Sequence, residues 1–172
     1  MKYLKLFFFM FVALVACNQA GELAKQQPED IIVTVDTLLN NWHKDASEAN
    51  FDQYMALMDS IFVFIGTDAN ENWTKRQFAA FCKPYFDKGK AWDFQTLERN
   101  VYVSKNADLV WFDELLDTWM GVCRGSGVFE KTKNEWKIKQ YVLSVSIPNE
   151  DVRAVIEAKM ATDSIFMIRY KK

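Results

Sequence analysis

Asp113 and Glu114 stand side by side in the stretch Leu109-Val110-Trp111-Phe112-Asp113-Glu114-Leu115-Leu116, whose other members are all apolar. In an extended chain successive side chains point to opposite faces, so one carboxylate lies with Trp111 and Leu115 and the other with Phe112 and Leu116. The inward one is desolvated, which raises a carboxyl pKa toward values useful for proton transfer. The structural use of the same pair is a salt bridge to a neighbouring strand, through Arg99 or Arg124. His43, the one histidine, lies four positions after Leu39, at the edge of a buried stripe. It is a candidate base at a pocket mouth, or a half-exposed ring with one hydrogen bond. Asp68, followed by Glu71 and Trp73 in the turn-rich stretch from Gly66, either frames a pocket entrance or satisfies backbone amides. Arg124 shares a face with Ser126, and Cys123, Gly125 and Gly127 take the other, where the glycines admit a close approach. Arg124 is therefore either an anion contact or half of an ion pair.

These residues suffice for proton transfer without a cofactor: Asp113 or Glu114 as general base, with His43 or Arg124 stabilising an enolate-like charge. The competing use is binding. Trp42, Tyr54, Phe64, Trp73, Phe86, Trp92 and Phe112 are expected to wall a pocket, with Asp68 and Arg124 as polar contacts; rings supply area and shape selection but move no protons. The binder is the preferred use.

Composition closes other routes. Of 172 residues, 21 are Lys or Arg and 23 Asp or Glu, with no run of five like charges, so the electrostatic footprint of nucleic-acid binding is missing. A single histidine leaves no His-rich metal site, and neither a Gly-rich phosphate loop nor a Ser or Cys nucleophile motif is present. With half its residues hydrophobic, the chain has enough apolar material for one good core.

The elements that must position the candidates begin after a leader. Met1-Lys2-Tyr3-Leu4-Lys5 is basic, Leu6 to Leu14 is apolar, and Val15-Ala16-Cys17 supplies small residues for cleavage. The apolar run is too short to span a bilayer. Residues 1–16 are thus expected to be a signal peptide, 17–29 a polar flexible tether, 30–148 the folded domain, and 149–172 a terminal helix and tail. Cys82 and Cys123 remain in the domain, where a disulfide and two buried thiols both stay open.

Within the domain Ile32, Val35, Leu39, Trp42 and Ala46 repeat at helical steps, predicting a helix over 30–47. Asn50 to Gln53 has the order of a capping box and starts a short helix through Met58; Thr74 to Gln77 is a second box, opening a helix that puts Phe78, Phe81, Cys82 and Tyr85 on one face until Gly89. Ile61 to Ile65 reads as a buried strand. Four long strands follow, 92–104, 107–118, 121–131 and 135–147, joined by short turns in which Asn106 and Asn134 tolerate positive φ. A two-residue turn at Lys133-Asn134 sets Glu130 opposite Lys137 and Phe129 opposite Ile138. Pro148-Asn149 looks like a cap for a helix over 150–160. Helices followed by an antiparallel sheet make an α+β fold.

Several segments are familiar as a set: Trp42-His43, Phe51-Asp52-Gln53-Tyr54, Val63-Phe64-Ile65-Gly66-Thr67-Asp68, Trp111-Phe112-Asp113-Glu114, Arg124-Gly125-Ser126-Gly127, and Trp136-Lys137-Ile138 leading to Leu143-Ser144. From about Ile31 to Pro148 the chain resembles the SnoaL-like branch of the nuclear transport factor 2-like (NTF2-like) superfamily. The resemblance implies a cone: N-terminal helices in the hollow of a curved, mainly antiparallel sheet, with a short C-terminal helix. It also implies a homodimer through the outer sheet face, for which Val101, Val103, Val110 or Trp111, and Tyr141 are the expected apolar contacts. Function is not implied, because the superfamily spans isomerases, cyclases, dehydratases, transport factors, kinase association domains and non-enzymes. Phe64-Ile65-Gly66 stands where ketosteroid isomerases place a base aspartate. Gln140 and Val142 stand where several relatives carry two histidines, and only Ser144 persists. Leu14-Val15-Ala16-Cys17 resembles a bacterial lipobox, implying a lipid anchor at Cys17 and a place in the cell envelope, periplasmic or at the outer membrane.

Overall fold

A computed structural model describes residues 27–171; the signal peptide, Cys17 and most of the expected tether lie outside the described residues. The first helix, α1 (Pro28–Ser47), buries Ile31, Val35, Leu39, Trp42 and Ala46. The stripe therefore begins at Ile31, one residue earlier than the periodicity suggested, and Ile32 is exposed. Helix α2 (Phe51–Ala56) follows, but Asn50 does not cap it. Its side-chain amide instead donates to Asp45 and Glu48. Strand β1 (Met58–Ile65) alternates rather than being buried throughout, with Phe62 and Phe64 inward and Ile61 exposed.

A short strand, β2 (Asn72–Thr74), closes the turn-rich stretch that begins at Gly66, and pairs antiparallel with β1. Helix α3 (Lys75–Phe86) opens on the complete Thr74/Gln77 capping box. Its buried face is Phe78, Cys82 and Phe86, a strict i, i+4, i+8 row, while Phe81 and Tyr85 stand at its exposed edge. Four strands then form the meander: β3 (Gln95–Val103), β4 (Leu109–Thr118), β5 (Gly121–Thr132) and β6 (Glu135–Val145). The sheet order is β2-β1-β6-β5-β4-β3, antiparallel except for the parallel pair β1 and β6. The helices and the inner sheet face enclose one core, the α+β cone that the sequence led us to expect.

Two details of the meander place the site. Lys133 and Asn134 both have positive φ, a two-residue turn of the mirror-image type that matches strand twist. It sets Phe129 opposite Ile138 and Glu130 opposite Lys137, as expected. Just beyond, the register slips: Val128 faces Gln140, so Lys139 is an extra residue in β6. A bulge of one residue reverses the alternation after it, so Tyr141 and Leu143 point inward with Ile138. Tyr141 is accordingly a core residue and not an outer-face contact, and Val110 is buried too. In the β3 to β4 turn the positive φ falls on Ala107 rather than Asn106.

Cys82 and Cys123 are separate buried free thiols, and burial pushes the Cys82 thiol up. The last helix, α4 (Val152–Ile168), is longer than expected, starts from Asp151 without a side-chain cap, and buries no residue. Arg169 at its end donates to Asn70 Oδ1 at 2.8 Å. No helix of the described residues is long and apolar enough to cross a membrane.

Candidate ligand site

Between the helices and the inner sheet face lies a cavity of about 280 Å³. Trp42, Tyr54, Phe64, Trp73 and Trp92, five of the rings expected there, line it, together with Phe78, Phe81, Phe94 and Leu143. The wall is internally braced. Trp42 stacks on Tyr54 with centroids 4.8 Å apart and an angle of 3°, and its indole N–H donates to the Tyr54 carbonyl at 3.1 Å. The mouth is formed by Gly66, Thr67 and Glu71 from the β1 to β2 loop and by Trp119 and Met120 from the β4 to β5 turn. That turn is tied by Thr118, whose hydroxyl accepts from the Met120 amide and donates to the Gly121 carbonyl, with Gly121 at φ +85°. Trp119 is left 82% exposed at the rim.

Behind one wall sits a buried polar network. In β4 the even-numbered residues from Val110 to Thr118 are buried, so Glu114 points inward and is fully buried. Its Oε2 accepts from Arg99 Nε at 2.9 Å and Nη2 at 2.8 Å, the cross-strand neighbour on β3. Its Oε1 accepts from Tyr141 Oη at 2.8 Å and lies 3.0 Å from His43 Nε2. Arg99 also donates to Asp36 Oδ1 at 2.7 Å, Asn40 Oδ1 at 2.8 Å and Thr96 Oγ1 at 2.9 Å, which ties α1 to the sheet. Gly125 makes room for this arrangement: a Cβ there would lie 2.3 Å from Tyr141 Oη and 3.0 Å from Glu114 Cγ. The close approach that the glycines allow is that of Tyr141 and, at Gly127, of Phe112.

This network corrects the proposed general base. Burial alone pushes the Glu114 carboxyl up, but the hydrogen bonds and charges of His43 and Arg99, with the Tyr141 hydroxyl, hold it below the usual carboxylate range. A carboxylate so held does not take a proton near neutrality; it positions its neighbours. Burial, and then the Glu114 charge, push the Tyr141 phenol well above its ordinary value, so it stays protonated and donates. An ionised Glu114 only accepts, so His43 carries a proton on Nε2. The ring lines the cavity and its Nδ1 has no protein partner among the described residues, which leaves that nitrogen for a guest.

Other expected site residues lie elsewhere. Asp113 points to the outer face, where Arg124 Nη1 approaches it at 3.2 Å and Asn100 at 3.5 Å. Both Asp113 and Arg124 are therefore remote from the cavity, joined in a half-exposed surface ion pair. Asp68 is exposed and turns its carboxylate to the Asn70 backbone at 2.8 Å, a hydrogen bond that lowers its pKa. Phe112 and Phe86 are core residues behind the wall, Phe112 against Gly127 and Tyr141, Phe86 against Tyr54 and Trp92. Glu71, expected with Asp68 in the loop at the pocket entrance, lines the cavity, and Asp36, Asn40 and Tyr141 complete the site without having been selected for it. Asp36 and Asn40 carry a sequence signal, because they flank the predicted stripe one turn apart; Tyr141 carries none, because the bulge inverts its face. Among the described residues no group of three or more His, Cys, Asp or Glu side chains is placed to hold a metal ion.

The comparisons agree with this architecture. The SnoaL-like domain family matches residues 35–148, and the chain belongs to that family, within the NTF2-like superfamily. No curated protein matches the chain by sequence. Among solved structures it is similar to an NTF2-like protein of unknown function from Pseudomonas putida KT2440, at 12% identity and TM-score 0.58, over 69% of this chain and 88% of that one. A cystatin-like domain of unknown function from Nostoc punctiforme aligns at 13% identity and TM-score 0.61, over 85% of this chain and all of the other. The association domain of C. elegans CaMKII aligns at 20% identity and TM-score 0.52, over 68% and 94%. At these identities the likeness is one of fold.

Proposed function

We propose that this domain binds a small, mainly apolar, ring-bearing molecule in its aromatic cavity, with His43 as the deep polar contact. One observation carries the reading: an open cavity whose rings are already packed in place, with one imidazole fixed so that a single nitrogen faces the guest. A wall that needs no rearrangement spends little affinity on ordering itself. The cavity also weighs against a pure interaction module, which needs only a filled core. Titration calorimetry with 2-naphthol tests it: saturable one-site binding is expected, lost in Leu143→Trp, whose larger side chain fills the cavity. Absence of saturable heat, or binding unaffected by that filling, overturns the reading.

The second reading, a cofactor-free acid-base enzyme, is favoured by the His43–Glu114 contact. In it His43, not Asp113 or Glu114, takes the proton, and Glu114 orients the ring. The location is proposed from the leader: a lipoprotein of the bacterial cell envelope, anchored through Cys17. Cys17→Ser is expected to move the protein out of the membrane fraction or to leave it with an uncut leader; a wild-type protein found soluble with its N-terminus upstream of Cys17 overturns the anchor. A homodimer through the outer sheet face is supported by Tyr102 and Trp111, stacked at 5.8 Å and 15° and both nearly half exposed. Light scattering at high micromolar concentration is expected to report twice the chain mass.

A further inference from the structure

The ionisable lining of the cavity holds one carboxylate and one imidazole. Among the described residues no Lys or Arg lines it, and its ionisable lining residues, apart from tyrosines, are His43 and Glu71. Two inner donors are already consumed: the Trp42 indole by the Tyr54 carbonyl and the Tyr141 hydroxyl by Glu114. Arg99, behind the wall, is balanced by Glu114 and Asp36. Arg169, which reaches the mouth loop from the end of α4, donates to Asn70 and lies over the Phe166 ring, 5.2 Å from its centroid, and does not line the cavity.

What remains toward the mouth is a carboxylate beside ring faces. Glu71 is held there by its own loop: its carboxylate accepts from the Asp68 amide at 3.2 Å, and its backbone bonds both Gly66 and Asp68. Gly66 is what allows it, since a Cβ at 66 would lie 2.0 Å from Glu71 Oε2. Next along the chain that lines the cavity, Trp73 packs on Phe81 at 4.8 Å and stacks with Phe64 at 6.0 Å, so the rings form a corner open to the guest. A cation over such faces is attracted by the ring quadrupole, and more strongly where water is excluded; an anion is repelled by both the rings and the carboxylate.

We infer that the cavity selects a cationic guest: an amine or quaternary ammonium group borne on a small apolar body, its charge at the Trp73–Phe81 corner beside Glu71. This rests on the cavity-binding reading and names its ligand class. The test compares three probes by tryptophan fluorescence and calorimetry: benzyltrimethylammonium, its uncharged carbon isostere neopentylbenzene, and phenylacetate. The cation is expected to bind about tenfold tighter than the isostere, with phenylacetate weakest. In Glu71→Gln, which keeps an acceptor for the Asp68 amide, the ratio of cation to isostere affinity is expected to fall about threefold or more, with the melting temperature confirming an intact fold. An isostere that binds as tightly as the cation, or a phenylacetate that binds best, overturns the charge preference while leaving the cavity reading intact. Failure of all three to bind overturns the cavity reading itself.

Discussion

Asp113 and Glu114 are adjacent, chemically alike, and each faces an arginine, yet the sheet gives them opposite work. Asp113 meets Arg124 on the outer face, with side chains 31% and 54% exposed. Glu114 meets Arg99 on the inner face, with side chains 0% and 3% exposed, and gathers His43 and Tyr141 as well. In water the outer pair gains little from Coulomb attraction and is screened by salt. In the core the desolvation cost is large, so the inner pair exists only because every lone pair of Glu114 has a donor. The lesson is that the second carboxylate is a structural centre whose satisfied hydrogen bonds aim an imidazole, and the first is surface decoration.

Breaking the inner centre gives the largest effect. Glu114→Leu strands the Arg99 guanidinium and the Tyr141 hydroxyl and is expected to cost about 3–5 kcal/mol, read as a lowered urea midpoint. Gly125→Ala attacks the same centre sterically, pushing Tyr141 off Glu114; overpacking of this kind costs about 1–3 kcal/mol, measured the same way. Glu114→Gln sharpens the comparison through pH. Because the folded pKa of Glu114 lies below its unfolded value, its contribution is fully present above the ordinary glutamate pKa of about 4.3 and is lost as pH falls from there toward the folded value. The variant is expected to be less stable at neutral pH and to show a flatter loss of stability below that point. Asp113→Ala, on the outer face, is expected to change stability by no more than about 1 kcal/mol, and less in high salt; a loss as large as that of Glu114→Leu breaks the comparison.

The sequence made the elements legible wherever periodicity and local chemistry agree. The α1 stripe, the Thr74 capping box, the Lys133-Asn134 turn and the alternation of β4 follow from the positions of a few residues. Alternation also showed that one of two carboxylates must be buried, and named Arg99 and Arg124 as partners. It did not say which face was which, nor that a buried carboxylate with donors from three residues is held ionised instead of raised. The bulge at Lys139 was invisible, because an extra residue in a strand is a property of two paired strands, not of one pattern. That single slip is why Tyr141 was assigned to the outer face and is found at the heart of the network. Phe86 and Phe112 show the same limit for rings: a large aromatic on an inward face is core or wall according to what lies one layer deeper.

The central claim, an imidazole anchored by Glu114 with its free nitrogen facing a binding cavity, is open to one direct measurement, since His43 is the only histidine in the chain. A long-range ¹⁵N–¹H spectrum of the untagged, ¹⁵N-labelled protein contains one ring to assign. The account predicts a protonated Nε2 whose signal is insensitive to 2-naphthol, and an Nδ1 whose shift moves as the guest saturates the cavity. A ring with its proton on Nδ1 alone, or an Nδ1 signal unmoved at saturation, contradicts it.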